Sequence, residues 1–274
     1  MRFRILASGS SGNATLIEAG GTRVLLDGGL GPRILARHMR AAGVEPDSLA
    51  AVLLTHEHID HIKGAAAFAQ RFGVGLLGSR GTCMGGGFSA MQRELPGFTV
   101  IRAGERIELL QLSLTPLAIP HDAAEPLAFV LQADEATLGY ATDLGHLTEE
   151  VSAALAACDA VVLESNHDVA MLREGPYPWQ LKERVAGPHG HLSNEDAARF
   201  LAEQLGPQCR TVVLAHLSET NNHPEVVRMA AEPALARAGR CDVRLEVATR
   251  HGTEWLDVCP RRAGEAERAQ YRLW

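Results

Sequence analysis

The sequence predicts an α/β fold, and three observations predict it. Short β-forming runs open the chain between glycines. An apolar run at 51–55 passes straight into a histidine cluster and then into a helical pattern. Residues 112–164 then repeat the order of strands, helix and strand.

In chain order, residues 2–7, 14–18 and 23–27 are the first strands, and Gly9, Gly12, Gly20, Gly21, Gly28 and Gly29 between them read as the turns of a meander. The next strand is 51–55, followed by a helix at 62–72 that Gly73 stops. Strands at 112–119, 127–132 and 137–141 precede a helix at 148–157 and a strand at 160–164. After a Pro/Gly-rich stretch at 175–190, the run Ser193-Asn194-Glu195-Asp196 has the chemistry of a helix start, leading into a helix to 205 and a strand at 211–214. The last helical pattern, 224–238, contains Pro233, which is expected to kink or end it. Cys83-Met84-Gly85-Gly86-Gly87 reads as a mobile loop near the cleft, and the Arg- and Glu-rich tail beyond Pro260 as loosely held. With no repeat or linker, residues 1–274 are expected to form a single domain.

A 46% hydrophobic content lets this length bury a substantial core, while the net charge of −7 argues against a large cationic surface. A nucleic-acid partner would have to be gripped locally. The five cysteines are scattered, odd in number and without Cys-x-x-Cys spacing, which disfavours a disulfide framework and a thiolate zinc site. There is no secretory apolar region and no stretch of membrane-spanning length, so the expectation is a soluble, cytoplasmic protein.

The chemistry concentrates in His56-Glu57-His58-Ile59-Asp60-His61. Neutral imidazoles and carboxylates supply the lone pairs that a divalent cation needs. His56 and His58 are two residues apart and can face one way from an extended loop, whereas Asp60 and His61 turn toward a second position as a helix begins. Completion requires donors from elsewhere, and His121, Asp143 and His216 each follow an apolar run, where a strand would end.

This ordered set resembles the ligand series of the metallo-β-lactamase superfamily, and Asp27, closing an early strand, matches its first motif. The resemblance implies a four-layer αββα sandwich and two divalent metal ions, zinc or manganese, with iron equally compatible with these donors. It also implies that His56, His58 and His121 hold one metal, that Asp60, His61 and His216 hold the other, that Asp143 bridges them, and that Asp27 orients ligands from behind. Ala7 to Asn13, His121 to Pro126, Glu164 to Asp168, Tyr177-Pro178-Trp179 and Gly190 to Asp196 narrow the resemblance to the YycJ/WalJ-type branch, which is associated with 5′-to-3′ exonuclease action on DNA. Phosphodiester hydrolysis by water acidified between the metals follows as an expectation, with DNA ends as substrate. His191, on the loop before Ser193, is the expected general acid, with His189 nearby as the competing choice.

Other readings compete. A glyoxalase II-like thioester hydrolase shares the run from Thr55 to His61, a small cyclic phosphodiester would use the same metals, and a metal-stabilised regulatory module would keep them for structure. A flavodiiron oxidoreductase would carry a carboxylate where His58 stands. Ser8 to Asn13 is a candidate turn with amides facing a phosphate. Arg173, Lys182 and Arg184 near Tyr177 and Trp179, together with Arg71, Arg80 and Arg93, are candidate contacts to a single-stranded end. Protein partners and oligomeric state are left open.

Overall fold

A computed structural model of the chain describes residues 1–91 and 93–260, so the expectation for the tail beyond Pro260 falls outside the described residues. The first half builds one mixed sheet. β1 (Arg2–Ala7), β2 (Ala14–Ala19) and β3 (Thr22–Leu26) form the expected antiparallel meander. After α1 (Pro32–Ala41), strand β4 (Ala51–Leu53) joins β3 in parallel. Then come α2 (Ile59–Ile62), α3 (Ala65–Phe72), β5 (Leu76–Gly78), α4 (Arg80–Gly85) and β6 (Phe98–Val100), with β5 and β6 extending the parallel run.

The second sheet begins with β7 (Ile107–Leu109), β8 (Leu112–Ala118), β9 (Leu127–Ala133) and β10 (Ala136–Ala141), all antiparallel. It continues in parallel through α5 (Glu149–Ala156), β11 (Ala160–Glu164), α6 (Val169–Glu174), α7 (Trp179–Val185), α8 (Asn194–Glu203), β12 (Thr211–Ala215), α9 (Pro224–Arg237) and β13 (Arg244–Val247). The last strand, β14 (Leu256–Asp257), returns to pair with β1.

Three apolar interfaces stack these elements into the four-layer αββα sandwich. Phe3, Ile17 and Leu26 meet Leu114, Phe129 and Leu138 between the sheets. Leu16, Leu25 and Val52 pack under Leu35, Met39 and Phe68 of α1 and α3. On the far side, Val161, Leu163 and Leu214 pack under Leu155, Phe200 and Val227 of α5, α8 and α9. Alternation explains why β3 and β11 read as unbroken apolar runs: Val24 and Leu26 face the inter-sheet core while Leu25 faces the helices, and Val162 opposes Val161 and Leu163 in the same way.

Three expectations are corrected. The helix expected at 62–72 is two helices broken at Lys63-Gly64, and the first starts at Ile59, so Asp60 and His61 are helical. Cys83-Met84-Gly85 lies in α4, not in a loop, because Ser79 caps the helix on the Thr82 amide at 2.9 Å and Glu125 accepts from the Gly81 amide at 2.8 Å. The Pro/Gly-rich stretch at 175–190, to which no element was assigned, contains α7. Of the two outcomes expected at Pro233, ending the helix is the one corrected: α9 runs through it, because exposed Pro233 is flanked by buried Ala231, Ala234 and Leu235.

Gly29 shows how tightly the meander is fitted to α2, since a Cβ there would lie 1.7 Å from the Asp60 carbonyl oxygen, which also accepts from the Asn13 amide at 2.8 Å. Gly29→Ala is therefore expected to cost about 3 kcal/mol in urea unfolding, the upper end of ordinary overpacking, because backbone rather than a pliable side chain must give way. A loss below about 0.5 kcal/mol would show that this contact relaxes freely.

Candidate metal centre

The predicted donors come together at one edge of the sandwich, where the parallel strands end. Asp27 follows β3, Thr55 and His56 follow β4, Asp60 and His61 lie on α2, Asp143 follows β10, Glu164 closes β11 and His216 follows β12. Open α/β sheets place their sites at such carboxyl ends, where backbone leaves the hydrogen-bonded ladder and side chains converge. The turns are sharp. Asp27, Asp143 and His216 have φ of 63°, 60° and 56°, three of the five non-glycine residues in the left-handed region among those described. Such strain costs of order 1–3 kcal/mol per residue and persists where the surroundings enforce it.

Among the described residues four overlapping sets bring one ligand atom each within 4.8 Å of one another: His56, His58 and His121; Asp60, His61 and His216; His56, His61 and Asp143; and Asp143, Glu164, His191 and His216. The first two are the sets that the resemblance implies, and the third places Asp143 against both. Its Oδ2 lies 3.3 Å from His61 Nε2, and its Oδ1 lies 3.9 Å from His121 Nε2.

Hydrogen bonds from behind aim the rings. His61 Nδ1 donates to Asp27 Oδ2 at 2.8 Å, which turns Nε2 toward Asp60 and Asp143. His121 Nδ1 donates to the Gly190 carbonyl at 2.9 Å, leaving the lone pair on Nε2. Thr55 donates its hydroxyl to Asp27 and stands 3.0 Å from His56 Nδ1, so that ring also presents Nε2 inward. His56 Nε2 and Asp143 Oδ2 are buried without a hydrogen-bond partner. Orphaning such groups costs about 1–3 kcal/mol each, and a divalent cation is the partner whose chemistry suits a bare imidazole nitrogen beside a bare carboxylate oxygen. The His/Asp clusters are thus suited to divalent metals.

Electrostatics divide the donors: His56 and His121 are held neutral, whereas the buried carboxylates around His61 and His216 favour their protonated forms, so those two must give up a proton to act as metal ligands. Burial and then the neighbouring imidazole of His61 push His56 well below the usual histidine range, and burial likewise lowers His121, so both are neutral donors. Burial alone would raise the Asp60 and Asp143 carboxyls, yet the surrounding histidines, His216 foremost, hold both well below the usual carboxylate range. For His216 burial opposes charge, but Asp143, Asp60 and Glu164 raise it to about 10.

Glu164 was absent from the predicted site. Its Oε1 accepts from Nδ1 of His191 at 2.8 Å and Nδ1 of His216 at 2.9 Å, and its Oε2 accepts from the Leu144 and Leu192 amides at 3.0 Å each. Burial would raise its pKa, but His191 and these bonds pull it down to about 2. In return, burial opposes charge on His191 and Glu164 raises its pKa. A criterion already applied to Asp143 and His216 would have found it: Glu164 is the single charged residue ending a wholly buried strand. Asn13 was also missed. Its Nδ2 lies 3.0 Å from His61 Nε2 and 3.3 Å from Asp60 Oδ2.

His191 lies in the site, part-buried against Glu164, whereas His189 is exposed. In the Ser8 to Asn13 turn the amides of Ser8, Gly9, Gly12 and Asn13 are bonded to Thr249, Asn13, Gly9 and Asp60, and Ser10 lines a pocket with His191. Tyr177 and Arg184 line a pocket with His191, while Trp179, Arg173 and Lys182 line a separate groove with His167.

Residues 22–217 match the family model described as a β-lactamase superfamily domain. The chain is 31% identical over 244 residues to exodeoxyribonuclease YycJ of Bacillus anthracis, spanning 87% of this chain and 90% of that protein. It is equally 31% identical over 244 residues to exodeoxyribonuclease WalJ of Streptococcus pneumoniae, spanning 86% and 89%. In three dimensions it matches the metallo-β-lactamase fold protein YhfI of Bacillus subtilis with a TM-score of 0.70 over 93% of this chain and 99% of that one, at 17% identity, a likeness of fold.

Proposed function

The chain belongs to the metallo-β-lactamase superfamily, in its YycJ/WalJ-type branch, and on that premise we propose that this metal-dependent hydrolase is a two-metal 5′-to-3′ DNA exonuclease. One cation would be held by His56, His58 and His121 and the other by Asp60, His61 and His216, with Asp143 available to both. Zinc and manganese both suit this imidazole and carboxylate set. When bound, such a pair supplies Lewis acidity, acidifying water and neutralising charge on the phosphoryl oxygens.

The chain's own residues do the rest. Asp27 and Glu164 hold His61 and His216 in the tautomers that present Nε2 inward. Asp60 and Asp143 stay ionised. His191 keeps a proton because Glu164 holds its Nδ1, and its ring lines the adjoining pocket, so it protonates the departing sugar oxygen. The observation that carries this reading is the pairing of a two-cation donor set with a carboxylate-supported imidazole, His191, at its margin. The thioester reading gains no support from such an acid, since a thiolate leaves without one.

Three buried free thiols, Cys83, Cys158 and Cys209, support the cytoplasmic location we assign. Among the described residues no helix is long and apolar enough to cross a membrane.

The test is digestion of 5′- and 3′-labelled duplex DNA, single-stranded DNA and RNA by zinc- or manganese-loaded protein and by His191→Ala. Stepwise loss from the 5′ end is expected, with kcat for His191→Ala lower by about 100-fold and metal content unchanged. Metal loss in the variant would remove His191 from the acid role. Inactivity on every nucleic acid at full metal loading would move the assignment to a small phosphodiester or a thioester.

A further inference from the structure

Helix α7 has no buried residue, and its two faces line different cavities. Leu181, Arg184 and Val185 face the pocket of His191. On the opposite side of the helix, Trp179, Lys182 and Glu183 line a groove of about 190 Å³ with Val169, Leu172 and Arg173 of α6. Trp179 and Val169 are 64% and 48% exposed there. Large apolar side chains left open in one patch indicate an interaction surface. His167 lines the same groove and is only 2% exposed, yet its Nδ1 has no hydrogen-bond partner.

Resting on the nuclease reading, we infer that this groove binds one base of an unpaired DNA stretch outside the reaction centre, with the base stacked on Trp179 and its edge toward His167. Chemistry chooses a base over the apolar side chain of a protein. A hydrocarbon side chain would cover Trp179 but leave His167 Nδ1 buried and unpaired, whereas the edge of a base brings a polar partner to it. Burial holds His167 below the usual histidine range, so its ring is neutral, with one nitrogen accepting and the other donating. The ring of Trp179 takes any base, because every base has a π-face.

Cations at the rim serve the backbone on either side of that base. Lys182 Nζ donates one hydrogen to the Arg173 carbonyl at 2.7 Å, which fixes the ammonium and leaves further donors for a phosphate. Arg173 adds a guanidinium, itself 3.3 Å from Glu174. Glu174 and Glu183 temper this charge, so stacking supplies the larger share of the binding. A base already paired in a duplex has its edge occupied by its partner, and the groove therefore selects unpaired strand. It lies across α7 from the pocket of His191, a helix diameter of about 10–12 Å, so only a strand that runs on past the scissile position reaches it. Such a contact holds the strand without entering the chemical step, the local grip that a chain of net charge −7 requires.

The experiment measures binding of the full, manganese-loaded chain to hydrolysis-resistant phosphorothioate strands by fluorescence anisotropy, using an oligothymidylate and an abasic strand of the same length. Trp179→Ala is expected to raise Kd for the oligothymidylate about tenfold, and Trp179→Phe, which keeps a ring, to stay within about twofold of wild type. Val169→Glu, which sets a carboxylate in the exposed wall, is expected to match Trp179→Ala. Wild type and all three variants should bind the abasic strand alike, with equal metal content. An unchanged Kd for Trp179→Ala, or the same loss on the abasic strand, would overturn the assignment, and the unchanged Kd would leave the groove to an apolar side chain of a protein. Wild-type protein that binds neither strand and degrades no DNA, yet hydrolyses bis(4-nitrophenyl) phosphate, would instead bring down the nuclease reading, and this inference with it.

Discussion

Asp143→Asn is expected to lower DNA hydrolysis by about 1000-fold or more, the effect of removing a preorganised charge from the reacting centre. It is also expected to reduce bound metal, read by elemental analysis of the dialysed protein. The reason is position: Asp143 reaches His61 at 3.3 Å, His216 at 3.2 Å and His121 at 3.9 Å, so its carboxylate faces both donor sets at once. Asparagine is the informative substitution because Asp143 has φ of 60°, a conformation that asparagine adopts more readily than alanine. Asp143→Ala would confound a lost ligand with backbone strain. Circular dichroism like that of wild type, with metal and rate both lost, is the expected pattern, whereas Asp143→Asn that retains both would take the bridging role away from this residue.

Asp27→Ala is expected to have the largest effect on stability, about 3–5 kcal/mol in denaturant unfolding. Asp27 is wholly buried and accepts from the Thr55 amide at 2.9 Å, from the Thr55 hydroxyl, and from His61 at 2.8 Å. Its removal leaves those donors unsatisfied in the core and places alanine at φ of 63°. Asp27→Asn keeps one acceptor oxygen and the backbone preference, so it is expected to lose roughly half as much stability. Its metal affinity should nevertheless fall about 10- to 100-fold, because His61 is no longer held by a carboxylate. A full-length Asp27→Ala protein as stable as wild type would mean that the Thr55 and His61 donors find other partners.

With the four layers implied by resemblance to the metallo-β-lactamase superfamily, the sequence by itself determined the order of strands and helices and the seven candidate donors. Both are written in patterns of short range: two-residue alternation and buried runs mark the strands, and polar donors directly after those runs mark the positions where backbone leaves a sheet. The run from His56 to His61 carries four donors in six residues, a density that surface chemistry does not call for. Tertiary structure alone decided the rest. α1 escaped notice because only Leu35, Ala36 and Met39 on its buried face mark it among arginines. Pro233 failed to end α9 because burial on either side outweighs one lost hydrogen bond. Glu164 became the shared support of His191 and His216 because parallel pairing of β11 with β12 sets Glu164 opposite Ala215, beside His216, and the loop ahead of α8 brings in His191. That contact spans 52 residues to His216 and 27 to His191, and only the folded sheet brings such separated positions within hydrogen-bonding distance.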